Sequence, residues 1–152
     1  MGPEAAVLHI DVTDTPAVAD VDTVRDGLNA YNARFAPDSA YRELAVFLRD
    51  ADGRVRGGVT GNTYWGWLHI DLVWLEDELR GGGWGAGLLA AAEDAARGRG
   101  CRGVVLSTQR FQAPDFYRAH GYEVVGEIPD LPQGHGRIYM TKRLTPDDVS
   151  RT

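Results

Sequence analysis

The chain of 152 residues contains one cysteine, Cys101, and one lysine, Lys142. A single cysteine excludes an internal disulfide and fits a reducing compartment. The scarcity of lysine, set against abundant arginine, reads as codon bias and carries no function. Positive charge is not in excess, with 16 basic residues against 22 acidic ones and a formal net charge of −6. That balance argues against general nucleic-acid binding, which needs a basic face to replace phosphate counterions. It suits a cationic partner instead. No apolar run approaches the roughly 18 residues that a membrane span requires. The opening "MGPEAAVLHIDV" has neither a basic start nor a long apolar stretch, so no signal peptide is expected. A cytoplasmic location away from membranes follows as the expectation. No repeat, low-complexity tract or linker is present, and no metal is expected. The length suits a single domain over 1–152, with 145–152 as a loose tail.

The hydrophobic pattern predicts an α/β protein. "AVLHIDV" (6–12) reads as a strand and 17–35 as a helix, with Val18, Val21, Val24, Leu28, Tyr31 and Phe35 on one stripe. Strands over 41–49 and 54–65, joined at "DADG", form an antiparallel hairpin. A more hydrophobic strand follows at 67–75, then a helix over 84–99 and an apolar strand at 103–108. A short helix at 114–120 and strands at 122–128 and 137–144 complete the order. The unit from 67 to 108 is strand–helix–strand. Joining its strands in parallel needs a crossover that lays the helix on one sheet face. In such folds the loop after the first strand is where ligands bind.

That loop is "RGGGWGAG" (80–87). Glycine costs about 1 kcal/mol against alanine inside a helix, yet five of them lead into "LLAAAEDAAR". A helix N-terminus carries unpaired N–H groups and partial positive charge. Residues without a Cβ let such a backbone approach a phosphate closely. The stretch therefore reads as a phosphate cradle, or as a tight turn that lets helix pack on sheet. A nucleoside-triphosphate loop would need Gly-Lys-Ser/Thr, and Gly85-Ala86-Gly87-Leu88 stands there. A dinucleotide loop should come directly off a strand and be followed by an acid ending the next one. Here "EDELR" intervenes, and the next strand ends "LSTQR". Trp84 begins a stripe continued by Leu88, Ala92 and Ala95, and is expected to point inward beneath the loop.

Arg80-x-x-Gly83-x-Gly85 directly before a helix resembles the pyrophosphate loop of the GNAT superfamily of acyl-coenzyme A-dependent N-acyltransferases. "APDFYRAHGYEVVGE" (113–127) resembles that family's segment after the next strand, with Ala113, Phe116-Tyr117 and Gly121-Tyr122 at its spacings. The element order matches as well, over nearly the whole chain. The resemblance implies a mixed central sheet of about seven strands with flanking helices. Its parallel strands 67–75 and 103–108 would splay apart to take the pantetheine arm. It also implies acetyl-coenzyme A as co-substrate. Gly81, Gly82, Gly83, Trp84, Gly85, Ala86 and Gly87 would then grip the pyrophosphate, Arg80 would open the loop, and the Leu75 backbone would meet the pantetheine arm. Tyr117 would protonate the departing thiolate. Two departures stand out: Arg110 replaces a common asparagine and is a candidate for a coenzyme phosphate, and Gly82 replaces a common basic residue.

The transfer also needs a base, because an alkylamine is mostly ammonium at neutral pH. Asp71, nine residues before Arg80, matches the family's acid on that strand, as base or as anchor for the substrate ammonium. His69 lies on the same face by period two and is the alternative. Glu76, Asp77 and Glu78 read as a solvated charge run. Trp65, Trp67, Trp74 and Tyr64 form either an aromatic wall for a cationic amine or core packing. Tyr31 and Asn32 fall where the family's acceptor site is edged. "LPQGHG" (131–136) lines the same pocket or a dimer contact, so a homodimer stays open. The expected activity is acetyl transfer to a small, cationic primary amine in a ternary complex. The other readings are a longer acyl group, a protein N-terminal or lysine amine as acceptor, or an acyl-coenzyme A sensor without turnover.

Overall fold

The richest apolar segment of the chain lies at the centre of a six-stranded mixed sheet in the computed structural model, which describes residues 7–144. The strands are β1 (Arg42–Arg49), β2 (Val55–Tyr64), β3 (Trp67–Leu75), β4 (Gly103–Gln109), β5 (Glu123–Pro129) and β6 (Gly136–Arg143). They lie in the order β1-β2-β3-β4-β6-β5. Every neighbouring pair is antiparallel except β3 and β4. The first half of β3 and most of β4 bury Leu68, Ile70, Val104 and Leu106 in the core, which accounts for their aliphatic runs, while 71–74 of β3 are exposed.

Helix α2 (Trp84–Gly98) makes the crossover between β3 and β4. It turns Leu88, Leu89, Ala92, Glu93 and Ala96 inward. All but Glu93 meet Val59, Leu68, Ile70, Val104, Leu106 and Met140 of the sheet in one core. Alanines at the contact let helix and sheet approach closely. At the helix C-terminus the Arg99 guanidinium donates to Thr63 Oγ1 and to the Glu43 carbonyl, each at 3.0 Å, fixing that end over β1 and β2. Helix α3 (Pro114–Ala119) begins with proline in its first turn, where the missing N–H costs nothing.

The chain divides between Asp38 and Ser39 into two units. The sheet, α2 and α3 belong to the second. The first holds helix α1 (Val18–Asn32), which has no buried residue. It stops short of the predicted 17–35, so that Phe35 lies beyond it and packs its ring 5.3 Å from Tyr31. The strand predicted over 6–12 is not formed: residues 7–12 are irregular, and residue 6 lies outside the described residues. Alternating apolar residues set a periodicity, but a strand exists only within a ladder. The sheet accordingly has six strands rather than about seven. The tail predicted at 145–152 lies outside the described residues. No described helix is long and apolar enough to cross a membrane.

Candidate active site

β3 and β4 are paired over only three positions, Trp67 with Gly103, Leu68 with Val104 and His69 with Val105. Beyond them β3 continues to Leu75 along β2, while β4 continues to Gln109 along β6. The sheet therefore opens into a wedge at its one parallel pair. A cleft of about 710 Å³ fills the wedge, within the usual range for small-molecule sites. Residues 70–75 form one wall and 106–108 the other. Arg80, Gly81, Gly83, Gly85 and Ala86 line it from the start of α2, and Phe111, Gln112, Ala113, Phe116 and Tyr117 from the segment after β4.

The local sequence explains the cradle's shape. Gly81 and Gly83 have φ of +82° and +85°, a left-handed backbone that other residues adopt only at a cost of about 1–2 kcal/mol. Gly83 is the N-cap of α2, and no side chain caps that end. A Cβ at Gly81, Gly83 or Gly87 would meet nothing within 4 Å. At Gly87 neither strain nor packing calls for glycine, and its N–H donates to the Gly83 carbonyl at 3.0 Å as an ordinary helical bond. These features fit an anionic group at the helix start. Arg80 is exposed, with Nε 3.4 Å from the Leu75 carbonyl and 3.3 Å from Asp77 Oδ1.

The loop before the cradle is tied down. The Arg56 guanidinium, largely buried on β2, pairs with Glu76 and Glu78, and the Glu76 N–H donates to the Arg56 carbonyl at 3.0 Å. The predicted solvated run is thus partly an ion-pair brace. Trp84 is also corrected. It is 50% exposed, its indole lying back towards Gly82, and the inward face of α2 begins only at Leu88. Ala95 is exposed as well. A first-turn side chain projects towards the preceding loop rather than onto the sheet.

Asp71 sits at a break in the ladder. Thr60 pairs with Leu72 and Gly61 with Ile70, leaving Asp71 as the extra residue of a β-bulge. Its side chain is exposed and lines the cleft. His69, two residues earlier, lies flat on Tyr64 and does not line the cleft. Burial lowers the His69 pKa, and the negative charge of Asp71 partly opposes this. Across the wedge, Tyr117 is buried at 6% exposure, and that burial pushes its hydroxyl above the usual phenol range.

Other predicted residues lie elsewhere. Trp65 occupies the β2–β3 turn, at the end of β3 opposite the wedge. Trp67 packs across Gly103, while Trp74 is half-exposed on the cleft wall. Arg110 pairs with Glu127 and is not part of the lining, nor are Gly82 and Gly87. Tyr31 belongs to α1 in the first unit, with the Arg34 guanidinium 5.4 Å from its ring centroid. From the 131–136 loop, His135 meets Phe111 edge-on, with ring centroids 4.9 Å apart. Phe111 and Gln112 were not anticipated. Gln112 accepts the Gln109 N–H at 2.9 Å, shaping the turn after β4, a role without a sequence signature. Among the described residues no cluster of His, Cys, Asp and Glu could hold a metal ion.

A mixed sheet that opens at its single parallel pair, with a glycine-led helix at the opening, defines an enzyme of the acyltransferase class. The chain belongs to the acetyltransferase (GNAT) family, whose model matches residues 6–122. It is 38% identical over 135 residues to an acetyltransferase of Agrobacterium fabrum, covering 88% of this chain and 96% of that one. It is 43% identical over 115 residues to the blasticidin-S acetyltransferase of Streptomyces morookaense, covering 73% and 85%. A crystal structure of an acetyltransferase from Bacillus cereus superposes with a TM-score of 0.78 at 31% identity, covering 88% of this chain and 97% of that one.

Proposed function

We propose that this acetyltransferase moves an acetyl group from acetyl-coenzyme A to a primary amine of a small, cationic acceptor, directly and within a ternary complex. The observation that carries this reading is the wedge between β3 and β4, with the glycine cradle and Tyr117 both opening onto it. The backbone N–H groups of 81–86 and Arg80 would hold the pyrophosphate, and Leu75 the pantetheine arm along β3; the Gly87 N–H is taken by the Gly83 carbonyl. Match to the family model across the Asp38–Ser39 boundary supports both units acting as one catalytic domain. A cytoplasmic location belongs to the same reading.

In this mechanism Asp71 attracts the acceptor's ammonium and takes one proton from it, directly or through water. The freed nitrogen lone pair forms the N–C bond, and the C–S bond breaks. Tyr117 gives its hydroxyl proton to the leaving sulfur, the acylated nitrogen passes its second proton through water to the Tyr117 phenolate, and Asp71 releases the proton it took to solvent, so one proton leaves per turnover. Burial raises the Tyr117 pKa, which keeps the proton in place until it is needed. The same apolar surroundings raise a thiolate's affinity for protons, so the transfer is not opposed by the full phenol–thiol difference in water.

The acceptor proposed first is an amine-bearing antibiotic, supported by the 43% identity to a blasticidin-S acetyltransferase and by the acidic net charge. The test combines a melting curve with acetyl-coenzyme A and thiol release against an amine panel that begins with blasticidin S. A raised melting temperature, thiol release and a product heavier by one acetyl group are expected. Coenzyme binding without release for any amine would replace the enzyme with a sensor.

A further inference from the structure

The mechanism leaves one buried charge unused. Glu93 lies on the inward face of α2, 5% exposed, among Leu89, Ala92 and Ala96. A carboxylate there is costly unless each oxygen is satisfied. Both are: Oε1 accepts from Lys142 Nζ of β6 at 2.9 Å, and Oε2 accepts from the Tyr122 hydroxyl at 2.7 Å. The Lys142 ammonium also stands 5.6 Å from the centre of the Tyr122 ring. Its stem crosses Gly121, where a Cβ would come within 3.4 Å of Cε. Tyr122 is thereby held by its hydroxyl and by its face.

Tyr122 in turn contacts Tyr117. The rings meet edge-on with centroids 5.7 Å apart, and the Tyr122 N–H donates to the Tyr117 carbonyl at 3.0 Å. The Phe116 ring also meets that of Tyr117, with centroids 5.2 Å apart, and packs at Gly85, in the first turn of α2. Helix α2 thus reaches Tyr117 twice, from the cradle through Phe116 and from about two turns further on through Glu93 and Tyr122. Apolar side chains of similar volume would stabilise the same space as well or better. What an apolar cluster lacks is a fixed direction, which two charge-assisted hydrogen bonds supply.

We propose that Glu93, with Tyr122 and Lys142, is a positioning device that fixes the Tyr117 ring relative to the coenzyme cradle. The proposal rests on the reading of Tyr117 as proton donor, and its test separates the two. The protein is labelled with 3-fluorotyrosine, and the Tyr117 resonance is assigned from its loss in Tyr117→Phe. The wild type should show one sharp Tyr117 signal. Tyr122→Phe and Glu93→Gln should shift and broaden it while the melting curve stays cooperative. Should either variant fold poorly, the paired change Glu93→Leu with Lys142→Met keeps the core filled and should give the same spectrum. An unchanged Tyr117 signal in a folded variant overturns the proposal. Turnover supplies the second readout, with blasticidin S as acceptor. Tyr122→Phe should lower kcat about tenfold at nearly constant KM, and should cost nothing further in a Tyr117→Phe background. Losses that add overturn the positioning role. Full turnover by Tyr117→Phe overturns the proton-donor reading alone and leaves the ring signal to decide the other.

Discussion

His69 lies flat against Tyr64, with ring centroids 3.9 Å apart and planes 3° from parallel. Stacking between two strands removes the imidazole from water, and burial lowers its pKa against the opposing charge of Asp71. The unfolded chain, with a histidine near about 6.5, binds the proton more readily. The associated stability is complete above that pH and is lost as pH falls towards the folded-state value. Acidification from about pH 8 to about pH 5 should therefore destabilise the wild type more than His69→Gln. Equal losses in urea melts at the two pH values would remove this coupling.

Gly83→Ala and Gly87→Ala should differ in a telling way. The first puts alanine at φ +85° and should cost about 1–2 kcal/mol of stability. The second, in ordinary helical backbone, should gain up to about 1 kcal/mol. Gly83 lines the cleft, so its added methyl group should raise the KM for acetyl-coenzyme A, whereas Gly87 lies outside the lining and its methyl group should leave that KM near wild type. A raised KM in a stabilised Gly87→Ala enzyme would show that the coenzyme reaches that position after all.

Gly61→Ala should be severe, at about 3 kcal/mol or more. A Cβ there would sit on the His69 carbonyl oxygen, a backbone atom that cannot rotate away. The close approach comes with the bulge that leaves Asp71 unpaired. Urea unfolding measures the loss, and a change within about 0.5 kcal/mol would refute the packing argument.

Tyr117→Phe keeps the ring and deletes only the hydroxyl. Loss of a general acid should lower kcat by about a hundredfold while coenzyme binding by calorimetry stays near wild type. A matching loss of affinity would make Tyr117 a binding residue instead.

Much of this architecture was legible in the chain. β3 runs over 67–75, as a continuous apolar run framed by turns implies, and glycines mark the start of α2. What failed was whatever depends on partners distant in sequence. Residues 7–12 have a strand's periodicity and no ladder. Trp84 has a core residue's size, yet its place in the first turn sends it outward. The Asp71 bulge requires knowing which β2 residue stands opposite. Glu93 carried a faint signal, an acid one position from Ala92 and four from Leu89 on the buried stripe. Its two partners, Tyr122 and Lys142, lie 29 and 49 residues away in sequence.

The lone lysine has a consequence for an enzyme that handles an activated acetyl group. Its ammonium is turned against Glu93 and largely shielded, with the side chain 22% exposed. No other side chain of the chain ends in a primary amine. Acetyl-coenzyme A modifies accessible lysines without any catalyst, and this surface offers such chemistry almost no target. Lysine-directed chemical acetylation by the co-substrate should therefore be slow in this protein, with the α-amine left as the other primary amine.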